Sequence, residues 1–190
     1  MERVKEIILN PLTAISKAKK EKSLNKTLSI MLFSWFVIAV GFFLSFSSMM
    51  LVRFVSSIAI FLFGILFSLF LSYIVNIVMN ILGGKGKYYD SLTATTYSSL
   101  PISFGFIFMA ILYAINAMLG IFIGFILIVF TTALSLSIYF RTIKEFYSTD
   151  MVTTLVGFLI IVYVFVISLY ISMGFFMGAF NFNSLPTKMM

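Results

Sequence analysis

The chain contains no cysteine and no histidine among its 190 residues. Without cysteine it cannot form a disulfide, and its redox compartment cannot be read from the sequence. Without histidine it lacks the commonest general base and metal ligand. Charged residues are also scarce, at 10%, whereas hydrophobic residues make up 62%. Because a soluble domain carries far more charge, this composition predicts a polytopic membrane protein of the all-α class.

The few acidic residues show no pattern that suggests catalysis. After Glu21 only Asp90, Glu145 and Asp150 remain, and none lies within a predicted membrane span. No two of them are spaced for acid–base chemistry, and the chain has neither a HExxH motif nor a Ser–His pair. We therefore expect no enzymatic activity, no cofactor, no catalytic residue and no metal site.

Long apolar runs define the expected architecture, since each can cross a hydrocarbon core of about 30 Å. Residues 91–140 carry no charge, and because one helix cannot be that long in a bilayer, we expect a tight turn within residues 113–120. A basic segment, residues 1–26, precedes a membrane domain of residues 27–176, and a short external tail, residues 177–190, follows it. The predicted transmembrane helices are five, at about residues 28–50, 55–82, 99–117, 120–139 and 151–175.

Basic residues are distributed unevenly along the chain. Seven of the 13 lie in residues 1–26, and four more follow spans 2 and 4. Only Arg53, expected between spans 1 and 2, and Lys188 in the tail fall on the other side. By the positive-inside rule, the N-terminus is cytosolic and the C-terminus outside, in a multi-pass protein of the cell membrane. The net charge of +7 is then explained without a nucleic-acid partner.

The basic segment contains a helix start at Asn10-Pro11, because asparagine favours the N-cap and proline the first helical position. The following amphipathic residues are either an interfacial helix on anionic lipid or a solvated segment that only fixes topology. In the first case the segment should bind anionic membrane surfaces. The lysines expected to contact lipid headgroups, here and in the connection after span 2, are Lys17, Lys19, Lys20, Lys22, Lys85 and Lys87.

Span 2 carries a ridge of small or polar residues spaced four apart. This spacing places them along one face of a helix. In a membrane such a face either packs against neighbouring helices or lines a small polar cavity or partner site. The members of this polar ridge are Gly64, Ser68, Ser72, Asn76 and Asn80.

Glycines occur in a connection after span 2 and in pairs spaced four residues apart. Gly83-Gly84-Lys85-Gly86-Lys87 lacks the spacing of a nucleotide-binding loop, and we expect its glycines to end span 2 in a left-handed C-cap. Its lysines would then lie near lipid phosphates. The pairs Gly120/Gly124 and Gly174/Gly178 have the spacing of close helix contacts, within the chain or in a homodimer.

Residues 88–99 carry six Ser or Thr hydroxyls. We expect them to form a helix packed on span 2, with the hydroxyls facing Asn76 and Asn80, because an unpaired amide in hydrocarbon costs several kcal/mol. Pro101 should kink or break the helix where span 3 begins. The alternative is a polar helix lying flat on the membrane surface, anchored by Tyr88 and Tyr89.

Several short motifs together resemble the Yip family of Ypt/Rab-interacting membrane proteins, in its short prokaryotic form. Asn10-Pro11 stands before span 1, Gly83-Gly84-Lys85-Gly86 follows span 2, and Tyr97-Ser98 precedes Pro101 at the start of span 3. The resemblance implies a five-span helical domain with a cytosolic N-terminus, a role in trafficking or membrane shaping, and no enzyme activity. The aspartate-leucine-tyrosine-glycine-proline motif of eukaryotic members is absent, which weighs against a Rab-type partner.

Two functions are consistent with these observations. The first is a non-enzymatic membrane protein of the Yip type that organises membrane, acts as a trafficking-like scaffold or recruits a partner, with the bilayer and anionic headgroups as further contacts. The second is a small transporter, channel or lipid-moving protein, whose path the polar ridge would line. Transporters usually hold an ionisable residue at bilayer depth, and none is predicted here. The partner protein and any homodimer are left open.

Overall fold

The protein is a bundle of α-helices in the computed structural model. The structure describes the backbone of residues 2–45 and 49–181 and the side chains of residues 4–11, 13–45, 49–167 and 170. Two short helices, α1 (Glu2–Leu9) and α2 (Pro11–Glu21), precede the long ones. The long helices are α3 (Leu24–Ser45), α4 (Met50–Ile81), α5 (Tyr88–Ile115), α6 (Ala117–Tyr147) and α7 (Met151–Asn181). No strand occurs in these described ranges, so the all-α prediction is confirmed.

The long helices have the length and composition of membrane spans. Four of them, α3 to α6, are 22 to 32 residues long with a mean hydropathy of 1.9 to 2.6. The first part of α7, Met151–Ile167, is a further apolar helix. An all-helical protein with four such helices and an apolar fifth is a polytopic membrane protein, as the sequence predicts.

Helix α5 is the central element, because it packs against α1, α3, α4 and α6. Its closest partner is α6, to which it is joined by a sharp turn at Asn116. The Asn116 side chain accepts hydrogen bonds from the backbone N–H groups of Met118 and Leu119, which caps α6 within the stretch where the turn is expected. A Cβ on Gly120 would lie 2.4 Å from the Tyr113 backbone, so this glycine serves the contact between α5 and α6.

Several helix boundaries differ from the sequence-based ones. Arg53 does not separate two spans but lies in the first turn of α4. Arg141 and Glu145 belong to α6, where their side chains form an i,i+4 ion pair at 3.6 Å. Helices that extend past the hydrocarbon core can hold such residues at their ends. The connection from α6 to α7 is therefore only residues 148–150. Helix α7 continues to Asn181, past the predicted start of the external tail at 177. The rest of that predicted tail, with Lys188, lies outside the described residues.

Of the two outcomes predicted for Pro101, a kink or a break, the break does not occur, and no helix begins near residue 99. Helix α5 runs without interruption from Tyr88 to Ile115 and holds Pro101 in its interior. Proline is tolerated inside membrane helices where other groups bond the carbonyls it disturbs. Here the Ser135 hydroxyl of α6 donates to the carbonyl of Ser98, three residues before the proline. The segment 88–99 and span 3 are thus one helix.

Candidate functional site

A polar seam joins α4 to the first turns of α5. The hydroxyls of Ser72 and Thr95 are 2.6 Å apart, and the Ser91 hydroxyl donates to the Ser72 carbonyl at 2.7 Å. All three side chains are buried. The Tyr88 hydroxyl donates to the Leu69 carbonyl, so Tyr88 binds a helix rather than lying on a flat surface segment. The hydroxyl-rich start of α5 is therefore a helix-packing surface.

The partner of these hydroxyls differs from the predicted one. They face Ser72, whereas Asn76 and Asn80 lie one and two turns further along α4. The Asn76 amide oxygen instead accepts hydrogen bonds from Tyr147 of α6, at 2.9 Å, and from Asn80, at 3.2 Å. Asn80 is exposed. The reason is that α6 extends to Tyr147, whose side chain occupies the space next to Asn76 where we expected the hydroxyls of α5.

The other half of the polar ridge packs against α3. A Cβ built on Gly64 would lie 2.0 Å from the Trp35 ring, so the indole rests directly on the α4 backbone. The Trp35 ring N–H donates to the Ser68 hydroxyl at 2.8 Å. Gly64, Ser68 and Ser72 are all buried. Four of the five ridge residues, all except the exposed Asn80, thus lie in contacts between helices, as the packing alternative predicts.

The glycine-rich connection ends α4 and then packs on Tyr147. Gly83 has φ +87°, and the N–H groups of Gly83 and Gly84 donate to the carbonyls of Asn80 and Met79, which forms a Schellman motif. A Cβ on Gly86 would lie 2.6 Å from the Tyr147 ring. The backbone N–H of Lys85 donates to the Tyr147 carbonyl at 3.1 Å. The glycines therefore both reverse the chain and admit an aromatic ring.

Helices α1 and α2 are part of the bundle core, which neither alternative for the basic segment anticipates. Ile7, Ala14, Ile15 and Ala18 are at most 1% exposed and belong to one cluster with residues of α4 to α7. Asn10 stands at the N-cap position and Pro11 at the first helical position, but the Asn10 side chain makes no capping hydrogen bond. Apolar contacts, rather than the cap, hold this segment.

The lysines of the lead fall into two groups. Lys17 forms an ion pair with Glu6, and the Lys19 ammonium donates to the carbonyl of Glu145 at the end of α6. A second group is exposed and forms no ion pair with any side chain that the structure describes. This outward-facing group comprises Lys20, Lys22, Lys85 and Lys87.

Two aspartates cap helices at the same end of the bundle. The Asp90 carboxylate is 4% exposed and accepts a hydrogen bond from the Lys87 backbone N–H at 2.7 Å. Hydrogen bonds from the Thr153 side chain and N–H lower the pKa of the Asp150 carboxyl, which therefore stays ionised at neutral pH at the start of α7. Both carboxylates thus have structural partners. Among the described residues no group of three His, Cys, Asp or Glu could hold a metal ion.

Thr96 differs from the other hydroxyls of α5. Its Oγ1 is buried and has no hydrogen-bond partner among the described residues. We expect Thr96→Val to leave stability unchanged or to raise it by up to about 1 kcal/mol, because it removes an unsatisfied buried hydroxyl. The control is Thr95→Val, which removes the bond to Ser72 and should cost about 1 kcal/mol. Denaturant unfolding of both variants in one detergent measures the difference, and a larger loss for Thr96→Val contradicts this account.

A protein-family model matches nearly the whole sequence of this chain. The model of the Yip1 domain matches residues 5–186. The chain belongs to the Yip1 domain family. The match starts in α1 and continues through the long helices, so the N-terminal helix pair is part of the Yip1 domain and not an addition to it. No curated protein and no solved structure matches the chain in the corresponding searches.

The structure gives each motif residue of this Yip1 domain a position. Gly84 and Gly86 contact Tyr147, and Gly83 forms the C-cap of α4. Tyr97 is fully buried in the core, the Ser98 carbonyl accepts a hydrogen bond from Ser135, and Pro101 is buried within α5. Sequence reasoning missed Tyr147, which connects the Gly-rich loop, Asn76 and the core. In the sequence Tyr147 is only an aromatic residue that follows the charged residues within 141–145. Nothing in that position indicates its partner Asn76, which lies 71 residues earlier.

Proposed function

We propose that this Yip1-domain protein is a non-enzymatic membrane protein that organises membrane or recruits a partner, in the manner of a trafficking scaffold. It would do so through a platform, defined as α1, α2 and the loop of residues 82–87. The observation that carries the proposal is the burial of Ile7 and Ile15 in the bundle core. This burial fixes the basic segment on the membrane domain and supports a permanent docking surface rather than a solvated tail.

The charge of the platform supports a partner or membrane surface of negative charge. Lys20, Lys22, Lys85 and Lys87 are exposed on two neighbouring segments that meet the end of α6. Each lysine near an anionic surface contributes about 1 kcal/mol of attraction. The partners we propose are therefore anionic headgroups and an acidic surface of another membrane protein.

A transporter, channel or lipid-moving protein is the competing function. Its path was expected along the polar ridge, but Gly64, Ser68 and Ser72 are engaged with Trp35 and Thr95. The absence of histidine and cysteine from the sequence further supports a non-enzymatic role. Ion or lipid flux in proteoliposomes above that of empty vesicles would favour transport over the scaffold.

Photocrosslinking in native membranes tests the platform. A photoreactive residue at Lys20 should give discrete protein adducts, and their yield should fall in a chain that also carries Lys22→Glu. The matched control is the same residue at Phe63, which is 68% exposed on α4 and should yield lipid adducts only. The proposal fails if both positions give the same protein adducts or if neither gives any.

We further propose that the platform is cytosolic, in the cell membrane, with the end of α3 outside. Since the chain has no cysteine, single introduced cysteines report their own accessibility. In sealed, right-side-out vesicles a membrane-impermeant maleimide should label Met49→Cys, whereas Ser16→Cys should react only after permeabilisation. Both residues are exposed. The reverse labelling pattern would contradict the orientation.

A further inference from the structure

A groove lies between the N-terminal helix pair and the start of α3. It exists because α1 packs on α5 and α2 packs on α6, which leaves exposed the side of α3 that carries Asn25, Lys26 and Ser29. Its volume is about 1130 Å³. This matches the upper end of typical ligand sites, which reach about 1,000 Å³. The groove is therefore large enough for an amphiphile.

The wall formed by α3 changes from polar to apolar along its length. Asn25, Lys26 and Ser29 line the groove at the start of the helix, and Ile30 and Phe33 line it further along. Seven residues of helix place Phe33 about 10 Å from Lys26 along α3, toward the middle of this apolar helix. There Phe33 meets Phe104 of α5, with ring centroids 6.2 Å apart. The lining thus changes from polar to apolar in the same order as a lipid molecule does from its headgroup to its acyl chains.

One of the three lysines that line the groove has no ion-pair partner among the described side chains. Lys17 is paired with Glu6, and Lys26 is paired with Glu21 at 2.7 Å. Lys5, the third lysine of the lining, forms no ion pair with any side chain that the structure describes. The lining therefore has a net charge of +1, which complements a ligand with one net negative charge.

We propose that the groove binds one anionic phospholipid, with its phosphate at Lys5 and Lys26 and an acyl chain over Phe33 and Phe104. The apolar floor favours a lipid over a free phosphate ester, and the net positive rim favours an anionic lipid over a zwitterionic one. The site is separate from the exposed lysines of the platform, because Lys20, Lys22, Lys85 and Lys87 do not line it. It does not depend on the proposed scaffold function.

Native mass spectrometry of the full-length protein in detergent tests the site. The probes are palmitoyl-oleoyl phosphatidylglycerol, palmitoyl-oleoyl phosphatidylcholine and glycerol 3-phosphate. We expect one phosphatidylglycerol per chain, with saturation, and weaker binding of the other two probes. Equal retention of phosphatidylcholine, tight binding of glycerol 3-phosphate alone, or no saturable lipid would each overturn the proposal.

Matched variants separate the groove from general charge attraction. Lys5→Gln should weaken phosphatidylglycerol binding about fivefold, because a lysine near an anionic headgroup contributes roughly 1 kcal/mol. Lys144→Gln, at an exposed lysine of α6 outside both the groove and the platform, should leave it unchanged, and an equal loss in this variant would overturn the proposal. Ser29→Trp should fill the groove and abolish the adduct. If Ser29→Trp does not fold, the comparison of Lys5→Gln with Lys144→Gln still decides, since both lysines are exposed.

Discussion

The Gly64→Val variant should lose about 2–4 kcal/mol of stability, which combines overpacking with a lost hydrogen bond. The physical reason is that a Cβ at this position would lie 2.0 Å from Trp35 Cε3. The indole ring must move off α4, and its N–H then leaves the Ser68 hydroxyl, which it now reaches at 2.8 Å. Denaturant unfolding followed by circular dichroism in detergent gives the loss.

Tryptophan fluorescence adds a local measurement, because Trp35 is the only tryptophan in the chain. Its emission should shift in Gly64→Val, and it should change little in Ala59→Val, an exposed small residue on the same helix. Ala59→Val adds a similar volume to α4 without a neighbour to displace, so its stability should stay within about 0.5 kcal/mol of the parent. Wild-type emission together with wild-type stability in Gly64→Val would refute the Trp35 contact.

The second large effect is expected at Tyr147. Tyr147→Ala should cost about 3–5 kcal/mol, as removal of a buried aromatic ring does. The ring is fully buried, it lies against Gly84 and Gly86, and its hydroxyl donates to Asn76. Tyr163→Ala is the matched control, because Tyr163 is 67% exposed on α7 and its replacement should have a small effect. Thermal and denaturant unfolding of both variants measure the difference.

A double-mutant cycle tests whether the glycines are there for the ring. Gly86→Val alone should destabilise, because its side chain overlaps the Tyr147 ring. In the background of Tyr147→Ala the same valine enters the vacated space, so the combined loss should be smaller than the sum of the single losses. Strict additivity would mean that Gly86 is required for another reason. Tyr147→Phe isolates the hydroxyl and should cost about 1 kcal/mol.

The sequence predicted the features that depend on local or one-dimensional patterns. Apolar length and the fifty uncharged positions predicted separate long helices with a turn that the structure places at Asn116. The glycine pair after α4 predicted the left-handed C-cap that Gly83 forms. The helix lengths follow from the thickness of a bilayer, and the C-cap follows from the conformational freedom of glycine. Neither prediction requires knowledge of contacts between distant residues.

The features that sequence reasoning missed depend on contacts between distant residues. The Ser91 and Thr95 hydroxyls of α5 meet Ser72 rather than Asn76, which is a difference of one helical turn in how two helices are aligned. Spacing along one helix places its residues on a face but does not fix its register against a neighbour. Pro101 is similar, because the serine that bonds the Ser98 carbonyl comes from α6, 37 residues further along the chain.

Packing of the N-terminal helix pair on α6 has a consequence for the order of events during synthesis. The contact from Lys19 to the Glu145 carbonyl joins residues 126 positions apart. At a translation rate of about 5–20 residues per second, α1 and α2 leave the ribosome roughly 6–25 s before their partner exists. During this interval the core around Ile7 and Ile15 is incomplete, because the α6 members of their cluster do not yet exist. The helix pair α1 and α2 is thus made before α6 but completes its packing only after it, so a chain truncated before α6 should leave the pair more accessible to protease.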